Sequence, residues 1–295
     1  MAVESVNKAQ RNTIFVESAI VSSVEAFAGN QFIMRLDAPE CALHAQPGQF
    51  VHIQCDPLLA MRRPLSIMRT DRSKGWIDIL FKAVGRGTVL LGARKTGDVI
   101  SLLGPIGRPF IPSASRPRAL LLGGGVGMPP MIFLAEELSR LDSFSPLVLL
   151  GSEAPFPFPL EKSKMTLSGI PQTATSGMPM LEEWNIASRL ASLQDYDGCY
   201  RGYVTDLARH HIRSLNNTQR DEVEIFACGP IGLLKAAAEL AKELDLPCQI
   251  SLEEFMACGV GGCAGCAVHI KTGEQSSMKR ACVDGPVFDA YTVVF

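Results

Sequence analysis

Between Ile14 and about Pro112 the chain shows six short apolar or alternating runs. They are Ile14–Val24, Gln31–Leu36, Gln49–Gln54, Leu65–Met68, Trp76–Val84 and Asp98–Leu103. Turn residues part them at Gly29-Asn30, Pro39, Pro47-Gly48, Asp56-Pro57, Lys74-Gly75 and Gly97-Asp98. Short strands at this spacing predict an antiparallel barrel or sandwich, with one short helix around Thr88–Ala93. At Arg116-Pro117-Arg118 the pattern changes. Ala119–Leu122 is continuously apolar, as for a parallel strand buried on both faces. A glycine-rich turn follows, and Met131–Leu141 places apolar residues at helical spacing. Leu147–Gly151, Val223–Ala227 and Gln249–Leu252 read as further strands, the last of them closing the sheet, and Ile231–Leu244 as an amphipathic helix. The region from Ala154 to Asp197 is hard to read. Pro155, Pro157 and Pro159 alternate with Phe156 and Phe158, which suits a loop with partial helix, a lid or a partner surface.

A chain of 295 residues with 47% hydrophobic and 20% charged residues can bury a sizeable core and is long enough for two domains and a small third. The formal charge of −2 comes without a block of one sign, and no basic patch interleaves with aromatics, so nucleic acid is not an expected partner. The first stretch, 1–12, is a polar leader without the apolar core of an export signal, and no apolar run is long enough to span a membrane. Nine cysteines in such a chain indicate a reducing compartment, with the cytoplasm as the expected location.

Four of those cysteines form the most informative pattern. Cys258, Cys263, Cys266 and Cys282 are spaced C-x4-C-x2-C-x15-C, and the first three match the plant-type [2Fe–2S] spacing. Glycines fill the gaps, as a loop needs when it wraps a small inorganic core and aims several thiolates inward. Backbone N–H groups in such a loop can bond the cluster sulfurs. Structural zinc is the alternative, but its usual layout pairs two C-x2-C knuckles, and only one such pair is present. Cys55, Cys228 and Cys248 lie in or beside strand-like runs and suit small core positions.

Two patches in the barrel region carry phosphate chemistry. In Arg63-Pro64-Leu65-Ser66 the proline fixes an arginine at a strand start, and a guanidinium held there suits a phosphate. In Phe81-Lys82 followed by Gly85, Gly87 and Thr88, a glycine turn precedes a helix, offering N–H groups to a phosphate. Each alone could be an ordinary turn with a solvated arginine. Together, in order and about twenty residues apart, they resemble the flavin site of the ferredoxin reductase superfamily.

In the second domain, Gly123, Gly124, Gly125 and Gly127 join strand to helix, the arrangement that presents N–H groups to a pyrophosphate. A tight structural turn is the plain alternative, since the spacing is not GxGxxG. Gly151–Glu153 and Cys228-Gly229-Pro230 also fall at strand ends, where ligands of such sheets bind. Glu153, with no arginine nearby, favours NAD over NADP. In the reductase superfamily a cysteine–glycine–proline turn lies beside the nicotinamide; a buried structural thiol is the other reading of Cys228.

The order of flavin barrel, nucleotide sheet and short cysteine-bearing tail resembles the electron transfer subunit of class 1B dihydroorotate dehydrogenase. Besides the motifs above, Ser251-Leu252-Glu253-Glu254 and Cys282–Phe288 look like that family. The resemblance implies FAD in the barrel, in contact with Arg63–Ser66, Leu80–Lys82 and Gly87-Thr88, NAD on the sheet, and one [2Fe–2S] cluster held by the four cysteines. It implies a partner catalytic subunit carrying FMN, where dihydroorotate is oxidised, in a heterotetramer of two plus two. Electrons would pass from FMN through the cluster to FAD and leave as hydride to NAD. The expected architecture is an antiparallel FAD-binding β-barrel over 13–114, a parallel-sheet α/β domain over 115–250 and a small cluster subdomain over 251–295. Two departures bear on the partner surface: Phe255 stands where the family often has a basic residue, and the segment after Gly151 is long. Sulfide dehydrogenase and ferredoxin–NADP transhydrogenase subunits share the architecture, but in the latter branch an aspartate replaces one cluster cysteine, against which Cys258 argues. A self-sufficient NADH oxidoreductase with a diffusing acceptor and a non-catalytic redox-sensing module are the remaining readings.

Overall fold

The protein is described from a computed structural model covering residues 13–295, so the polar leader lies outside the described residues. Six strands curl into a closed antiparallel barrel: β1 (Phe15–Phe27), β2 (Gln31–Asp37), β3 (Phe50–Ile53), β4 (Arg63–Asp71), β5 (Trp76–Lys82) and β6 (Val99–Ile106). Each coincides with one of the six apolar runs. Around the barrel they follow the order β1-β2-β5-β4-β3-β6. Alternate side chains fill the interior, among them Met34, Ile53, Ile67, Ile79, Phe81 and Leu102. Helix α1 (Pro39–His44) occupies a gap read as a break. Pro39 starts this helix, because a first-turn residue has no need of its N–H. Helix α2 (Arg86–Gly92) is the short helix expected near Thr88.

The second half is built on β7 (Arg118–Gly124), α3 (Met128–Ser139), β8 (Leu147–Gly151), β9 (Glu161–Lys162), β10 (Ser176–Gly177), α4 (Pro179–Glu183), β11 (Ala187–Ser192), β12 (Tyr200–Arg201), α5 (Val204–Ser214), α6 (Asn217–Asp221), β13 (Val223–Cys228), α7 (Ile231–Leu244) and β14 (Cys248–Ser251). After the cysteine loop come the hairpin β15 (Ala267–Thr272) and β16 (Gln275–Arg280), then β17 (Val287–Asp289). Seven strands form one sheet in the order β12-β11-β8-β7-β13-β14-β17. All neighbours are parallel except the last pair, where β17 runs antiparallel to β14. The expected closing strand, β14, is therefore not the edge: the chain returns from the cysteine loop to add another.

Strand β11 falls in the stretch that was hard to read. It is buried yet polar, with Ser188, Arg189 and Ser192 at 2–6% exposure. Those groups bond internally: Ser192 Oγ donates to the Ser152 carbonyl at 2.6 Å, and the Met178 N–H donates to Ser188 Oγ at 2.9 Å. A strand satisfied this way lacks the apolar run expected of a buried parallel strand.

Helix α3 joins the two halves. Ten of its twelve residues are buried, so it is apolar nearly all round, as for a helix covered on both sides. One side packs on the sheet through Met131, Ile132 and Leu138, while Phe133 enters the barrel core. Helices α5 and α7 cover the other sheet face through Leu207, Ile212, Leu234 and Leu240. Among the described residues, no helix is long and apolar enough to cross a membrane.

Phe133→Ala empties a ring-sized space shared by both domains. It is expected to lower unfolding stability by about 3–5 kcal/mol in denaturant titration.

Candidate functional site

The structure brings the two barrel patches together. Arg63 opens β4, opposite Ile53. A Cβ on Gly87 would lie 3.0 Å from Arg63 Nε, so only glycine lets the start of α2 sit against this guanidinium. Arg63 Nη1 donates to the carbonyls of Met61 and Arg62 at 2.9 and 3.1 Å, which fixes its direction. Thr88 Oγ1 accepts the N–H groups of Val84 and Gly85 and holds the turn closed. A fixed cation beside a glycine turn matches the phosphate end of a flavin nucleotide. Not every expected contact points outward. Phe81 turns its ring into the barrel, stacked on Phe32 with centroids 5.4 Å apart, which leaves only its backbone for a cofactor. Lys82 faces out, and Leu80 packs among residues beneath the sheet domain.

The strand order reverses at β7, whose neighbours β8 and β13 lead to opposite sides, and ligands of open sheets bind at such a point. A cavity of about 550 Å³ opens there. Gly124, Gly125, Glu153, Ser192, Thr205 and Pro230 line it on the sheet side, and Lys82 reaches it from the barrel. Gly123 and Gly127 lie beneath. A Cβ on Gly127 would collide with the backbone of Cys228 and Gly229, so the two turns expected to share one ligand interlock. Gly125, at φ +53°, faces open space. Sequence reasoning missed Ser192 and the Gly202–Thr205 segment. The readable signal was a glycine just before the helix that Asp206 supports in its first turn.

Cys228 is fully enclosed. Burial, then the Glu253 carboxylate, push its thiol up, so it stays protonated and is no nucleophile. Glu253 is open to solvent on one side, but the surrounding protein raises its carboxyl as well.

All four motif cysteines meet at one end of the barrel, in two pairs. Cys266 and Cys282 are 3.3 Å apart and buried. Cys258 lies against the thiol of Cys263, nearer the surface. Among the described residues, no three ligating side chains converge on one point as a single ion would require. Two pairs suit a two-iron core with two thiolates per iron. Gly262 and Gly265 aim N–H groups at the sulfurs of Cys258 and Cys263, at 3.3 and 3.4 Å. Burial opposes ionisation of Cys258, but N–H groups from Val260, Cys263 and Gly262 outweigh it and lower the thiol to about 7. Burial and the neighbouring Cys266 push Cys282 up to about 12. Arg280 Nη1 ties the loop through the Gly261 carbonyl at 2.9 Å. The loop packs on the barrel, with Met256, Cys266 and Cys282 against Phe50 and Ile106.

A smaller cleft of about 220 Å³ lies between barrel and α3, lined by Arg69, Arg72, Glu136 and Arg140. Its cations are matched by Asp78, Glu136 and Glu137, so it serves as a charged seam between domains.

Gly127→Ala must push the Cys228–Gly229 turn away. It is expected to weaken NADH binding about tenfold or more, measured by fluorescence titration, at a stability cost of about 1–3 kcal/mol.

Residues 19–110 match the oxidoreductase FAD-binding domain, and residues 253–294 match the iron-sulfur cluster binding domain of dihydroorotate dehydrogenase B. The electron transfer subunit of dihydroorotate dehydrogenase B (NAD(+)) from Desulforamulus reducens is 36% identical, over 95% of this chain and 98% of its own. Its counterpart from Bacillus caldolyticus is 34% identical over 94% and 98%. Among solved structures, an NADH-dependent reduced ferredoxin-NADP oxidoreductase superposes with a TM-score of 0.75 at 26% identity, covering 94% of this chain and 90% of that one. Phthalate dioxygenase reductase shares the fold at a TM-score of 0.57 and 14% identity, over 88% of both chains. With this identity along nearly its whole length, the chain belongs to the family of dihydroorotate dehydrogenase B electron transfer subunits.

Proposed function

We propose that this chain moves electrons between a catalytic partner that oxidises dihydroorotate on FMN and NAD, in pyrimidine biosynthesis. The observation that carries the reading is the paired-thiol loop packed directly on the flavin barrel. The FAD and the cluster, when bound, supply two-electron and one-electron exchange respectively. The residues supply placement. Arg63 and Gly87-Thr88 hold the FAD phosphates, while Pro64, Leu65, Ser66, Leu80, Lys82 and the backbone of Phe81 line the flavin. Gly123, Gly124, Gly125 and Gly127 hold the NAD pyrophosphate, and Glu153 the ribose hydroxyls. Cys228, Gly229 and Pro230 stand beside the nicotinamide, with Cys228 as a neutral wall. Cys258, Cys263, Cys266 and Cys282 would hold the cluster through their thiolates. No acid or base is required among them.

The working units are a FAD-binding barrel over 13–114, a NAD domain over 115–250 and a cluster subdomain over 251–295. Phe255 and Val260, at 95% and 50% exposure beside the cysteines, form an apolar rim that fits the partner subunit in a two-plus-two assembly in the cytoplasm. The likeness to a reduced ferredoxin-NADP oxidoreductase sustains a second reading, a reductase subunit serving ferredoxin. Co-purification with an FMN-bearing subunit separates the two.

Anaerobic purification is expected to give about two irons, two sulfides and one FAD per chain, all bleached by NADH; zinc without sulfide would overturn the reading. Cys263→Ser is expected to abolish transfer to the partner while NADH-to-dye activity persists; unchanged transfer would remove the cluster role. Phe255→Asp is expected to weaken the complex about tenfold in sedimentation, a loss of about 1.4 kcal/mol.

A further inference from the structure

His52 sits within β3 and is fully buried. It pairs across the ladder with Pro64 of the Arg63–Ser66 stretch on one side and with Leu103 of β6 on the other. The cysteine loop crosses its ring. A Cβ on Gly259 would stand 2.8 Å from His52 Nδ1 and 3.4 Å from Ile106 Cδ1. Backbone atoms of Met256 and Cys258 also lie against the imidazole. The surrounding layer is apolar, formed by Phe50, Ile106, Met256 and Ala281.

Among the described residues, neither ring nitrogen completes a hydrogen bond of ordinary geometry. An unmatched buried polar atom is costly, and an apolar side chain here would avoid that cost. The strands pair through their backbones, and Arg62 crosses to β6 without the ring, donating to the Ser101 carbonyl and hydroxyl at 2.8 and 2.7 Å and to the backbone carbonyl of His52 at 3.2 Å. What the imidazole does meet is the backbone that carries the first cysteine.

We propose that His52 is the positioning residue of the cysteine loop: from β3, the strand paired with the Arg63–Ser66 stretch of β4, it holds the Met256–Gly259 backbone at a set distance and faces it with a ring N–H. This rests on the cluster reading above. In metal sites such outer partners orient the ligands and hold the metal, and their loss typically costs about 10–100-fold in affinity. The consequence is that the strand laddered to the Arg63–Ser66 stretch also places the cluster loop.

The test compares the full-length wild type, His52→Phe and His52→Gln, purified anaerobically, with FAD content measured first as the control for folding. His52→Phe fills the space without an N–H. It is expected to keep its FAD, to lose iron to a chelator about tenfold faster, and to show shifted EPR g values for the reduced cluster. His52→Gln retains a donor and is expected to recover most of both properties. Wild-type iron release and g values in His52→Phe would overturn the proposal, as would equal damage in both variants. If His52→Phe fails to bind FAD, His52→Leu is read by the same two measures. A wild-type chain without iron and sulfide would instead remove the cluster reading, a result visible before any variant is compared.

Discussion

The burial of α3 between barrel and sheet is the contact on which the remaining geometry depends. A helix with one apolar stripe could slide or lift from its sheet. This one has apolar residues on both sides, and Phe133 keys it into the barrel core. Because α3 begins where β7 ends, fixing the helix also fixes the glycine turn relative to the flavin edge. Lys82 of the barrel can then reach a cavity that otherwise belongs to the sheet. The charged seam of Arg69, Glu136 and Asp78 borders the same contact. Partly exposed pairs of this kind add little energy, so orientation is their more natural contribution.

Around the cysteines the balance is electrostatic. N–H groups of the loop compensate the negative charge of thiolates, and they lower the Cys258 thiol although burial works against it. Cys282 lies deeper, where burial and the neighbouring Cys266 work against its ionisation. The loop backbone provides these donors because Gly259 and Gly261 adopt φ of +69° and +81°, conformations that most side chains resist.

Much of this was legible in the sequence, for physical reasons. The six barrel strands follow their alternating runs, and the cysteine spacing reflects loop geometry. Arg63 and Gly87 could be joined only by pattern, because the sequence does not display the contact between them. What stayed hidden shares a cause. Strand β11 buries Ser188 and Arg189, whose partners include the Met178 N–H and the Met165 carbonyl far along the chain, so local hydrophobicity carries no trace of it. The ring of Phe81 turned inward because strand alternation admits only every second residue to the cofactor side. The orphaned nitrogens of His52 were beyond reach because they matter only against Gly259, more than two hundred positions later.

Strand β17 gives the cysteine-bearing tail an architecture unlike an appended cassette. The tail leaves the sheet at β14 and comes back to pair with that same strand, Ser251 facing Val287 and Gln249 facing Asp289. Both ends of the excursion are thus stitched to one edge, like a loop of thread knotted at a single hem. A ferredoxin joined by a linker can be gained, lost or traded between proteins as a unit. This tail cannot be cut away without unpicking the border of the sheet, so it folds as a hem of that sheet and not as a separable module.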